Sequence, residues 1–216
     1  MPTINLKTLA RRYPLWTMNW SKDVAKARMK NPVLIAGLPG IGNVGKIVVD
    51  LLIESMNAKK LVSFFSDELP HSVFVQETGL VALPGLALYA ARASGKDYLF
   101  LAGDVQPMTE RSSYQLAGLV LDLFESYSGK EIVTLGGIGL PTLPQSPRLY
   151  VTGHDAKAVL HFSKDLALHR NLYGVVGPII GISGILVGLS ARRRIPAYCI
   201  LAETLANPLH LGLISA

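Results

Sequence analysis

Four glycines, Gly37, Gly40, Gly42 and Gly45, follow the apolar run 33–36 and precede an amphipathic run, 46–56. Glycine lets a backbone turn tightly or be approached closely. A glycine loop that opens a helix can present its N–H groups to a phosphate. Two phosphate loops can be laid over this stretch. Gly40-Ile41-Gly42-Asn43-Val44-Gly45 spells G-x-G-x-x-G, with Asp67 and Glu68 about twenty residues further on, as in a dinucleotide-binding unit. Gly40 to Lys46 also spells G-x-x-x-x-G-K, but Ile47 stands where a triphosphate loop needs Ser or Thr for magnesium. A turn that only lets a helix pack closely on its strand explains the same glycines. We prefer that reading, because a lone motif of this kind has little specificity.

The other candidates are weaker. Ser183 lies in Gly181-Ile182-Ser183-Gly184-Ile185, close to the G-x-S-x-G of a serine nucleophile elbow, but Ile185 replaces the last glycine. A helix N-cap is the preferred role for Ser183. Asp104 follows a core strand as a catalytic carboxylate would, and capping the turn before Pro107 is the preferred alternative. The five histidines, His71, His154, His161, His169 and His210, show no metal-ligand spacing. The single cysteine, Cys199, excludes an internal disulfide and a cysteine-based zinc site. It sits in the apolar run 198–201 and reads as a buried structural thiol. No nucleophile, base and orienting group can be assembled. No catalytic residue, metal or cofactor is therefore assigned, and a non-enzymatic role is favoured.

The elements that must position these residues read as one α/β domain. Residues 1–30 are taken as an N-terminal arm, with a strand or extended arm expected before the first core strand, and 31–216 as a single domain. Strands are expected at 33–36, 60–66, 98–102, 132–135, 150–154, 175–180 and 198–203. Residues 72–76 and 80–83 read as a hairpin around Glu77-Thr78-Gly79. Segment 84–97 reads as a further strand and a turn. Helices are expected at 46–56, 111–127, 155–165 and 183–193, with a short one opening at Ser21 and running to Met29. Several strands end in small or acidic residues: the Gly37 loop, Gly103-Asp104, Gly136-Gly137 and Ala202-Glu203. In a parallel sheet these ends line one edge, where ligands bind. Gly40, Gly42, Asn43, Gly45, Asp104, Gly137, Ser183, Gly184 and Glu203 are thus candidates for one ligand-binding or interface cluster.

Of the 216 residues, 50% are hydrophobic and 17% charged, which suggests a buried subunit interface beyond the core. The net charge of +6 comes with basic clusters at 22–30 and 192–194, but no aromatics interleave with them, so nucleic acid is not indicated. The N-terminus lacks the apolar core and cleavage site of a secretory signal, which points to the cytoplasm. Residues 172–191 are twenty in a row without a charge, followed by Arg192, Arg193 and Arg194. Hydropathy alone would make this a membrane helix. Gly177-Pro178 and Gly181-Ile182-Ser183-Gly184 break it into a strand and a helix instead, and no membrane span is expected.

GLPGIGNVGK, then FSDELP, VALPGLALY, YLFLAGDVQP, TLGG and GPIIGISGILVGLSARRRIPAYCILAET together resemble the PAC2 family of proteasome assembly chaperones and their archaeal and bacterial relatives. The likeness spans residues 31–208. It implies a three-layer α/β sandwich with a mixed, mostly parallel sheet, related to the phosphorylase-like fold of purine nucleoside phosphorylases. It also implies homo-oligomers and, for some members, a part in assembling proteasome α-subunit rings, alone or with a paralogous chaperone. Members that act on α subunits dock through a tail ending hydrophobic-Tyr-any. Here the chain ends Leu213-Ile214-Ser215-Ala216, without that tyrosine. A nucleoside- or nucleotide-binding enzyme or sensor built on Gly40–Gly45 is the alternative from another class.

Overall fold

Apolar runs too short for helices assemble into one eight-stranded sheet, seen in a computed structural model that describes residues 6–22 and 29–206. The chain opens with α1 (Leu6–Arg12) and β1 (Thr17–Trp20). Next come β2 (Val33–Ala36), a 3-10 turn (Ile41–Asn43) and α2 (Val44–Ser55). Strand β3 (Lys59–Phe65) leads to the ribbon of β4 (Phe74–Val75) and β5 (Val81–Ala82), then to β6 (Leu86–Ala93) and β7 (Lys96–Gly103). The rest is α3 (Glu110–Ser126), β8 (Glu131–Leu140), β9 (Leu149–Gly153), α4 (Ala156–Phe162), α5 (Ile182–Arg193) and β10 (Ala197–Leu205).

The sheet order is β1-β3-β6-β7-β2-β8-β10-β9. It is mixed, as expected, but parallel only at its centre: β7 with β2, β2 with β8, and β8 with β10. The other four pairings are antiparallel, so the sheet is not mostly parallel. For β6 and β7 the cause is local: Ser94 and Gly95 both adopt positive φ and close the two strands as a tight hairpin.

Helices cover both faces. On one, α3 and α5 pack over the sheet with Leu34, Leu88, Leu101, Cys199 and Leu201. Helix α3 presents Leu116, Leu119, Val120, Leu123 and Phe124, essentially without solvent exposure, at the spacing of one helical stripe. Each such side chain contributes roughly 1.5–3 kcal/mol on burial. Thr109 caps this helix by accepting from the Ser112 N–H. On the other face, α2 packs with Val49 against Phe100 and Ala102, and α4 packs with Val159 against Val151 and Tyr198.

Three expectations change. Strand β8 does not stop at Leu135. It runs on through Gly136, Gly137 and Gly139, paired in parallel with Leu201, Ala202 and Thr204 of β10. A strand is absent at 175–180. The segment from Ser163 to Gly181 is irregular apart from isolated bridges, because Pro178 has no N–H to give a ladder and Gly174 and Gly181 sit at φ +80 and +88. Near the N-terminus, α1 was not foreseen. Leu9, Tyr13 and Trp16 are buried in the main core, and β1 forms the sheet edge. The short helix expected from Ser21 to Met29 falls largely on residues outside the described ones. Among the described residues no helix is long and apolar enough to cross a membrane.

Candidate functional site

The carboxyl ends of β2, β7, β8 and β10 lie at one edge of the sheet, where the central strand β2 ends at Ala36, opposite Thr134 and before the glycines of its neighbour β8. The glycine loop leaves β2 here and folds across β8 and β10. A Cβ on Gly37 would collide with the Gly45 carbonyl, and one on Gly45 with the Leu135 carbonyl. Gly42, at φ +62, faces Thr204: a Cβ there would stand 2.6 Å from Thr204 Cγ2 and 2.7 Å from its Oγ1. Gly137 meets the Ile41 carbonyl in the same way. Three of the four loop glycines, together with Gly137, are thus spent on close packing of loop, helix and sheet. Gly40 is different, its nearest neighbour being the Leu38 carbonyl oxygen at 4.0 Å.

The second loop at this edge opens α5. Its N-cap is Gly181 rather than Ser183. Ser183 lies in the first turn and its Oγ donates to the Leu135 carbonyl at 3.3 Å, the carbonyl that also faces Gly45. Gly184 packs on the Ile179 carbonyl. Asn43 is the N-cap residue of α2, in a left-handed conformation at φ 52. Asp104 follows β7 and accepts from the Gly85 N–H at 2.9 Å, tying the ends of the β6–β7 pair. Lys46 Nζ lies 3.7 Å from it and 2.9 Å from Asp50. Lys46, Asp50 and Asp104 edge a cavity of about 150 Å³ over β3, β6 and β7, into which Tyr89 also faces.

Glu203 lies on the opposite face of the sheet from the glycine loop. Thr204, its neighbour, faces Gly42, and strand alternation turns Glu203 the other way. Its carboxylate is almost fully buried and accepts from Arg148 Nη2 at 2.7 Å, from Arg148 Nε and backbone N–H at 2.9 Å each, and from the Tyr150 hydroxyl at 3.2 Å. The Arg148 side chain, by hydrogen bond and charge, holds this carboxyl down at about 2 against 4.5 ordinarily. A carboxylate satisfied in this way is a fixed anchor for the loop entering β9.

Two residues at this edge escaped the sequence reading. Gln106 joins the two loops, its Nε2 donating to the Pro39 carbonyl at 2.6 Å and its Oε1 accepting from the Ile182 N–H at 3.0 Å. Thr204 fills the hollow at Gly42. The partners of Gln106 are 67 and 76 positions away, and nothing local in Asp104-Val105-Gln106-Pro107 announces them. Among the described residues, histidines, Cys199 and carboxylates form no cluster that could hold a metal ion. Burial pushes the Cys199 thiol up, the direction that makes it less reactive.

Around the packed loops the edge is apolar and open. The ribbon 73–83 exposes Val73, Phe74, Val75, Leu80, Val81 and Leu83. The connections after β7 and β8 expose Met108 and Leu143, and the segment before α5 exposes Tyr173 and Ile180.

A family model described as the PAC2 family matches residues 34–208. The protein MJ1210 of Methanocaldococcus jannaschii is 28% identical over 177 residues, 82% of this chain and 67% of that protein. Among solved structures, Pyrococcus furiosus PbaB, described as an archaeal proteasome activator, superposes with a TM-score of 0.79 at 27% identity, covering 88% of this chain and 81% of that one. Pyrococcus furiosus PbaA, described as an archaeal homolog of proteasome-assembly chaperone, superposes with a TM-score of 0.66 at 18% identity over 88% and 77% of the two chains, a likeness of fold.

Proposed function

The chain belongs to the PAC2 family, and on that premise we propose that it is a non-enzymatic, homo-oligomeric chaperone or scaffold that binds protein partners, proteasome α subunits foremost. The observation that carries this reading is the carboxyl edge of the sheet. In α/β enzymes this edge holds the substrate crevice. In this chain Gly37, Gly42, Gly45 and Gly137 are packed against protein atoms, and large apolar side chains surround them in the open. A contact surface for protein fits that arrangement better than a pocket for a small polar molecule. The likeness to PbaB supports the proteasome as the system served. A paralogous chaperone is a second partner of the same kind, and the cytoplasm is the compartment in which both would be met. On this reading the described residues form a fold related to the phosphorylase-like sandwich that has turned its active-site edge to protein contact.

The test is the native mass of the full chain, alone and mixed with proteasome α subunits from the same source. The expected result is a homo-oligomer that also captures α subunits. A homo-oligomer that ignores them would move the function to another partner. A thermal-shift panel of nucleosides, nucleotides and dinucleotides covers the enzyme or sensor alternative. A ligand at a hundred times its dissociation constant stabilises by about 2.7 kcal/mol, and a flat response is expected.

A further inference from the structure

We propose that the β4–β5 ribbon joins two copies of this chain, ribbon face on ribbon face about a two-fold axis. This rests on the self-association proposed above and names the surface responsible. The register pairs Phe74 with Ala82 and Val75 with Val81. Alternation along each strand then places Val73, Val75, Val81 and Leu83 on one face of the ribbon. These four are 54%, 74%, 64% and 62% exposed, and no polar side chain stands among them. A two-stranded ribbon is marginally stable in water unless a face is covered. This one turns its most aliphatic face outward.

The ribbon also lacks the usual guards against pairing. Exposed strands are normally protected by charge, especially lysine, or by proline. From Ser72 to Leu83 there is no proline and no basic residue, and the one charge, Glu77, sits in the turn closed by Gln76 and Leu80. That distribution selects the partner. The chain carries +6, with 21 lysines and arginines, so two copies repel over most approaches. The ribbon is a surface free of that charge. An acidic or basic partner would find no countercharge on its face. An identical aliphatic face is complementary to itself, as a two-fold contact demands, and stacked sheets pack such faces at about 10 Å.

Two variants of the full chain test this. Val75→Lys with Val81→Lys puts charge on solvent-exposed positions and leaves the core untouched. Its melting temperature checks folding, and its native mass is expected to fall to half that of the unsubstituted chain. Val75→Cys is read separately, since the other cysteine, Cys199, is fully buried. A short bifunctional maleimide is expected to link Val75→Cys chains into dimers. An unsubstituted oligomer whose mass the double-lysine variant leaves unchanged, with no cross-link at position 75, overturns the assignment of the ribbon while self-association stands. A monomeric unsubstituted chain overturns self-association itself. A double-lysine variant that keeps its mass but no longer binds proteasome α subunits gives the face to that partner, and overturns the proposal in favour of it.

Discussion

Gly42 and Thr204 are packed so closely that the loop following the first core strand is keyed into the last strand of the sheet: a Cβ on Gly42 would stand 2.6 Å from the threonine methyl. These residues are far apart in the chain, and Gly37 and Gly45 are packed as closely against backbone carbonyls. At these three positions the missing side chain makes room for protein atoms.

Replacing Gly42 with alanine adds this clash to a left-handed backbone at φ +62. The conformational penalty is about 1–2 kcal/mol and overpacking adds about 1–3. Urea unfolding is expected to show a loss of about 2–5 kcal/mol, partly recovered when Thr204→Ala is added. Full stability of Gly42→Ala alone would mean the loop can shift freely and is not keyed into β10.

Gly137→Ala aims a methyl at the Ile41 carbonyl, a backbone atom that cannot rotate away. A loss of about 1–3 kcal/mol is expected. Gly177→Ala, with nothing within 4 Å, serves as the control and should stay within about 0.5 kcal/mol of the parent. Equal effects of the two substitutions on the unfolding midpoint would contradict the packing described.

Gln106→Ala removes the link between the Pro39 carbonyl and the Ile182 N–H. Two partly buried polar groups lose their partner, at a cost of about 1–3 kcal/mol. Hydrogen exchange is expected to rise in both residues 37–43 and the first turn of α5. A rise confined to one of them would show that Gln106 does not couple the loops.

The Glu203 carboxyl sits at about 2 in the fold and 4.5 ordinarily, through its hydrogen bonds from Arg148. A depressed folded value means the stabilisation is fully present above the ordinary value and is lost as the pH falls through 4.5 towards about 2. Glu203→Gln should be less stable than the parent at neutral pH, and the gap should narrow on acidification through that window. A gap independent of pH would show that the ion pair is not what anchors the loop before β9.

Much of this was legible in the chain. The β2, glycine loop and α2 unit, the α3 stripe and the β4–β5 ribbon follow from periodicity and turn residues close together in sequence. What was not legible depends on partners far away. The glycines of β8 look like a loop until β10 is beside them, since only the pairing of Gly136, Gly137 and Gly139 with β10 makes them strand. Glu203 looks like a cleft carboxylate until Arg148, 55 positions earlier, closes over it. Residues 175–180 have strand composition, but Pro178 and the glycines around it deny them a ladder. The seven-residue α1 offers too few turns for a helical stripe to be read, and it is held by Leu9 and Tyr13 packing into the core.

The central claim is that the carboxyl edge of this sheet meets protein. Hydrogen exchange of the full chain, alone, with proteasome α subunits and with a nucleotide panel, tests it most directly. The account expects α subunits to protect amides in the apolar connections at this edge, 104–109, 141–148 and 170–181, while nucleotides leave the glycine loop unchanged. Protection of residues 40–46 by a nucleotide, with no change at those connections on adding α subunits, would contradict it.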